Sequence, residues 1–115
     1  MLRRKDTDIP ATDVEMDGAE GVKIRVIISK EDGAPNCVMR RFTIEPGGHT
    51  PYHTHDWEHE IYVLSGEGEA RQGDQRHPMN PGTVILAIPN EEHNFSNTGT
   101  EPLDFLCIVP HMQEK

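Results

Sequence analysis

A chain of 115 residues has room for one domain around one core and for no second functional module. Its formal charge of -9 with neutral histidines would repel a phosphate backbone or an anionic bilayer, so neither nucleic acid nor a membrane is an expected partner. With 34% apolar residues, 10 glycines, 9 prolines and no long apolar run of helical period, the composition predicts an all-β chain of short strands and turns.

In chain order, residues 1–21 are polar and acidic and read as an arm more than as a packed element, leaving 22–115 as the single domain. The arm begins basic but lacks the apolar stretch of a secretory signal, and nothing later reaches membrane-spanning length, so a cytoplasmic protein is expected. "VKIRVII" then alternates Val22, Ile24, Val26 and Ile28 against Lys23 and Arg25, the period of a half-buried strand. "VMRRFTI", Val38 to Ile44, predicts a second strand, stopped by a turn at "EPGG". Arg40 shares the Phe42 face, as an interior arginine in a pocket or an edge residue snorkelling to water.

Beyond these, "EIYVL" and "GEGEAR" read as strands and "QGDQRHPMNPG" as a polar turn. "TVILAI" has the length of a buried strand, "HNFSN" is short and strand-like, and "LDFLCIV" turns Leu103, Phe105, Cys107 and Val109 inward. Seven or eight such strands suggest a sandwich or barrel. Cys37 and Cys107 are too few and too distant for a disulfide scaffold or a thiol zinc module, and both are expected as core thiols.

The chemistry concentrates in "HTPYHTHDWEHE", where four of the seven histidines fall within eleven positions. In a strand, residues two apart share a face, so His53 and His55 can aim ring nitrogens at one ion. His59 can return to the same centre after a short turn or bulge, and His93 can join only through tertiary folding. His49, His77 and His111 are expected at the surface. Competing motifs fail: "HEIYV" has Val63 where a zinc-protease helix needs histidine, and "GEGEAR" has Arg71 where the dinucleotide fingerprint needs its third glycine.

These residues resemble the cupin superfamily, whose motifs run G-x5-H-x-H-x3,4-E-x6-G and G-x5-P-x-G-x2-H-x3-N. Gly47, His53, His55 and Gly66 match the first, with His59 at the position where most relatives carry glutamate. Glu60 rivals His59 at the longer permitted gap, but its count to Gly66 falls one short, and strand alternation turns His59 inward with Ile61 and Val63. In the second motif Gly82, Pro89, His93 and Asn97 occur in order, with Pro89 one residue late and Glu91 where glycine is usual.

The resemblance implies a cupin-type jelly-roll β-barrel with a metal inside one open end, held by His53, His55, His59 and His93. It commonly implies a homodimer in which amino-terminal segments cross between subunits, which would employ the arm. Four neutral imidazoles leave a divalent ion its full charge, and an octahedral ion so held keeps two adjacent positions for water, dioxygen or a bidentate oxygen ligand. Imidazole alone accepts zinc, copper, nickel or iron; the resemblance favours manganese(II), then iron(II). Acidification toward histidine's ordinary range should release the metal.

The expected function is a metal-dependent oxidoreductase or oxygenase acting on a small organic molecule, or else a non-catalytic metal- or ligand-binding cupin. No general base is identified. Arg40, Phe42, Tyr52, Trp57, Phe95, Phe105 and Cys107 are candidate pocket walls.

Overall fold

Side-chain alternation on short strands can be satisfied only if one face of each is covered, and here a single curled antiparallel sheet covers itself. The computed structural model describes residues 1–111. Among them nine strands occur: β1 (Thr12–Asp13), β2 (Glu20–Ile28), β3 (Cys37–His49), β4 (His59–Ser65), β5 (Gly68–Gln72), β6 (Gln75–Met79), β7 (Val84–Ala87), β8 (Asn94–Asn97) and β9 (Leu103–Pro110). No helix among the described residues is long and apolar enough to cross a membrane.

The strands follow the order β6-β5-β8-β3-β9-β4-β7, with β2 also paired to β3 and β1 to β2. Strand β3 makes the curl. Its first part, Val38 to Ile44, lies between β2 and β9, while His49 at its end pairs with Ser96 of β8. One long strand thus belongs to both walls of the jelly-roll. Between the walls lies the core, where Ile44, Val63, Met79, Leu103, Phe105 and Val109 are all buried. Each such side chain contributes roughly 1.5–3 kcal/mol of transfer free energy.

The "EPGG" segment does not end a strand as expected; it is absorbed within β3. Between the pairs Val22↔Ile44 and Glu20↔His49 the register shifts, with Gly21 opposite the four residues Glu45 to Gly48. This bulge, with Gly47 at φ 82°, redirects the strand without breaking it. The polar stretch after Gln72 is likewise no simple turn, because Gln72 pairs with Gln75 across a two-residue hairpin and β6 follows. Its signal was the dipeptide Gly73-Asp74, with Gly73 at φ 58°.

Two apolar expectations are also corrected. "TVILAI" forms β7 at the end of the sheet, where Val84 is 70% exposed and Leu86 58%, so its apolar outer face lacks a cover. Cys37 is exposed, whereas Cys107 is buried as expected. Parity explains the difference: Val38, Arg40, Phe42 and Ile44 take the inner face of β3, which puts Cys37 on the other.

Residues 1–21 lie along the body of their own chain. Thr12 and Asp13 pair with Ile24 and Lys23, and Arg4 bridges to Asp32 at 2.8 Å. Arg41, on the outer face of β3, ties Asp6 of the arm to Asp104 of β9.

Asn97, the last residue of the second motif, is buried and structural. Its Nδ2 donates to the carbonyls of Ile44 and Glu101, both at 2.8 Å, and its Oδ1 accepts from Gly99 N. Gly66, the last residue of the first motif, has φ 90°, and a Cβ there would stand 2.4 Å from Pro102 O. Gly47 has positive φ but open space around it. Gly66→Ala should therefore cost about 2 kcal/mol or more, combining strain with a backbone clash, and Gly47→Ala about 1 kcal/mol from strain alone. Urea unfolding of both variants checks the order; equal losses would remove the clash as a cause.

Candidate metal centre

Backbone bonds between two loops assemble the histidines. His53 and His93 form an isolated antiparallel bridge, His53 N donating to His93 O at 3.3 Å and His93 N to His53 O at 3.1 Å. Asn90 N donates to His55 O at 2.6 Å. His59 opens β4, in register with Ala87 of β7. The strap therefore brings together residues up to forty positions apart in sequence.

Ligand nitrogens of His55, His59 and His93 lie within 4.8 Å of one another. His53 stands beside them, its Nε2 2.7 Å from His55 Nε2 and its ring centroid 4.2 Å from that of His55. Glu60 is exposed on the opposite face of β4, so the geometry sides with His59 over the acidic rival. His77 is exposed, and His49 and His111 are half-buried outside the cluster.

Nδ1 of His53 donates to Pro51 O and Nδ1 of His93 to Glu91 O, each at 2.8 Å, which leaves Nε2 of each ring with its lone pair. In the tautomer that likewise frees Nε2 of His59, Nδ1–H donates to Cys107 Sγ at 3.2 Å. Orientation of this kind, through the second ring nitrogen, is how metal-binding imidazoles are held. The donor set fits a divalent cation: imidazole nitrogens converge, and in His53, His93 and His59 the second ring nitrogen already has a partner.

Burial, reinforced by the Arg40 charge, lowers the pKa of His59 from 6.5 to about 3. Burial and neighbouring His53 lower that of His55 from 6.5 to about 4. Burial also lowers His93, and it raises the Cys107 thiol, which stays protonated. These shifts move the expected acid release of metal below the ordinary imidazole range, because the folded state resists protonation of these rings.

The histidines border a cavity of about 360 Å³ whose other walls are mostly apolar. Phe42, Phe95 and Phe105 pack as an aromatic cluster with successive centroids 5.5 Å apart, and Trp57 lies 4.6 Å from the His55 ring. Arg40, Phe42, Trp57, Phe95, Phe105 and Cys107 all line it. Tyr52 does not; it lies under Arg71, and its hydroxyl accepts from Gly73 N. Val14 and Met16 of the arm were not foreseen as walls, although their spacing of two in an acidic stretch was the available signal.

Asn90 corrects the motif alignment. It stands three residues before His93, where the family pattern places glycine, and among the described residues it is the one non-glycine in the left-handed region, at φ 67°. Asparagine tolerates that conformation better than other side chains. The departure thus preserves the loop geometry, and Glu91 is not the substituted position.

The family described as Cupin domain matches residues 40–109. An oxalate-binding protein of Thermotoga maritima is 30% identical over 112 residues, covering 95% of this chain and 93% of that protein. The polyketide cyclase RemF from Streptomyces resistomycificus superposes with a TM-score of 0.90 at 36% identity, covering 96% of this chain and 79% of that one. A glucose-6-phosphate isomerase of Pyrococcus abyssi is 42% identical over 82 residues, which are 66% of this chain but 42% of the isomerase.

A base whose folded pKa lies below its unfolded value of 6.5 takes up its proton on unfolding, so the unfolded state gains as the pH falls. Metal-free protein should therefore lose stability steadily from about pH 6.5 toward pH 4. His59→Phe should flatten that slope in urea titrations at several pH values. An unchanged slope would remove His59 as its source.

Proposed function

Since the chain belongs to the cupin domain family, we propose that it is a metal-dependent enzyme acting on a small, mostly apolar organic molecule held in the barrel cavity. The observation that carries this reading is the meeting of His55, His59 and His93 at the wall of an open cavity rather than inside a closed core. These three and His53 would hold a divalent ion. A structural site would be closed by its ligands, whereas this one faces space for a ligand.

An ion bound there supplies Lewis acidity toward a carbonyl or enolate oxygen. The chain's own residues supply the rest: Phe42, Phe95 and Trp57 exclude water and orient an apolar body, and Cys107 holds the His59 ring. Relatives described as a cyclase and an isomerase support such polarising chemistry ahead of oxygenation. Manganese(II) is our first assignment and iron(II) the second, on family resemblance; zinc, nickel and copper suit imidazole as well. The alternative, a binding protein that does not transform its ligand, has the oxalate-binding relative in its favour.

Elemental analysis of protein purified without added metal should give about one ion per chain, and His55→Ala and His93→Ala should lose most of it while remaining folded. Cobalt(II)-loaded protein should change its visible spectrum when a small oxygen ligand is added. A spectrum indifferent to every such ligand would indicate a closed, non-catalytic site. Turnover that survives zinc replacement would mark Lewis-acid chemistry, and turnover restricted to manganese or iron with oxygen consumption would mark an oxygenase.

The same reading extends to assembly. The outer face of β9-β4-β7 presents Tyr62, Val84, Leu86, Leu106 and Ile108 around a shallow groove, an apolar surface suited to a second copy in a two-fold contact. Sedimentation should give a dimer, and Leu86→Glu should convert it to monomer without loss of metal. A wild-type monomer at micromolar concentration would end this part of the reading.

A further inference from the structure

Adjacent arginines on β3 have opposite fates. Arg41, on the outer face, is matched by Asp6 and Asp104. Arg40, on the inner face, lines the cavity, and among the described residues no carboxylate pairs with it. Its Nε is buried without an acceptor. One terminal nitrogen donates to Cys107 Sγ at 3.2 Å, and the guanidinium carbon stands 5.1 Å from the Phe42 ring centroid.

An unmatched charge beside an apolar wall is expensive, and a chain with 20 acidic residues had ample means to match it. The Cys107 sulfur meets one terminal nitrogen only and leaves the buried Nε without a partner. The neighbouring imidazoles have no anionic form to offer it, and a bound cation there would worsen the imbalance. What remains to complete the cavity is negative charge that arrives with the occupant. A guanidinium can take a carboxylate through two parallel hydrogen bonds, while the aromatic walls accept a flat apolar body.

We propose that Arg40 is the recognition residue for a carboxylate on the cavity's ligand, so that the substrate is an apolar, preferably aromatic, carboxylic acid rather than a neutral molecule or a small dicarboxylate. This rests on the reading of the cavity as the substrate site but not on the presence of metal. It also separates this chain from its oxalate-binding relative, since oxalate would leave Phe42, Phe95 and Trp57 without contact.

Trp57 is the single tryptophan and lines the cavity, so its fluorescence reports occupancy directly. Benzoate, benzamide and oxalate are titrated into metal-free and zinc-loaded full-length protein. Benzoate should bind about tenfold or more tightly than benzamide in both forms. Oxalate should bind weakly in the metal-free form. Arg40→Met should reduce benzoate to the benzamide level while leaving benzamide within about twofold, and Arg40→Lys should keep part of the preference.

Thermal unfolding separates recognition from scaffolding: Arg40→Met should melt at or above the wild-type temperature, since it removes an unmatched charge. A lower melting temperature with acid preference intact would overturn the proposal, as would equal affinities for benzoate and benzamide or no saturable quenching by benzoate up to millimolar concentration. Zinc content measured on the same samples distinguishes the two ideas. Acid preference without bound zinc leaves Arg40 in its role and removes the metal, whereas bound zinc without acid preference does the reverse.

Discussion

The antiparallel backbone bridge between His53 and His93 is the contact on which the centre depends. Two loops that contain few apolar residues have no hydrophobic reason to meet, and hydrogen bonds in both directions between these residues hold them together. Because the bridge is made by main-chain atoms, it fixes the distance between the loops independently of the rings. The rings are then aimed by separate acceptors, Pro51 O, Glu91 O and Cys107 Sγ. Position and orientation are therefore controlled by different bonds.

Much of this was legible in the sequence because strand parity is a local property. The inward set Leu103, Phe105, Cys107 and Val109 and the turn of His59 toward the core followed from alternation alone, and each is buried. Alternation failed where the partner strand, not the residue, decides burial. "TVILAI" is as apolar as any core strand, yet its place at the sheet end leaves one face open. "EPGG" has every mark of a turn, but pairing with β2 on one side carries the strand through it as a bulge. The meeting of His93 with the others could be expected only from resemblance, since no periodicity links residues in separate loops. The walls given by Val14 and Met16 were hidden for the same reason.

Family membership sets the barrel and the place of the site, and the chemistry lies in what surrounds it. The similar proteins carry unlike descriptions: one binds oxalate, one cyclises a polyketide and one isomerises a sugar phosphate. In this chain the surroundings are distinctive in two respects. His59 stands in the histidine cluster at the position where the family motif usually has glutamate, so a negative charge is missing there. Arg40 faces the same cavity, and among the described residues no carboxylate pairs with it. Both changes make the interior more positive in a protein whose total charge is -9. The contrast between inside and outside gives a small anion reason to leave the solvent for the cavity.

The arm adds a property of a different kind. It contributes Val14 and Met16 to the cavity wall, and it is fastened to the body both by the β1–β2 backbone pairing, with Val14 N donating to Val22 O, and by the ion pairs Arg4–Asp32, Asp6–Arg41 and Asp13–Lys23, of which the last is exposed. Exposed ion pairs weaken as counterions accumulate around them, whereas the aromatic floor of the cavity does not. The arm is thus held in part by contacts that ionic strength loosens, whereas the floor is held by packing alone, so salt acts on one side of the chamber and not on the other.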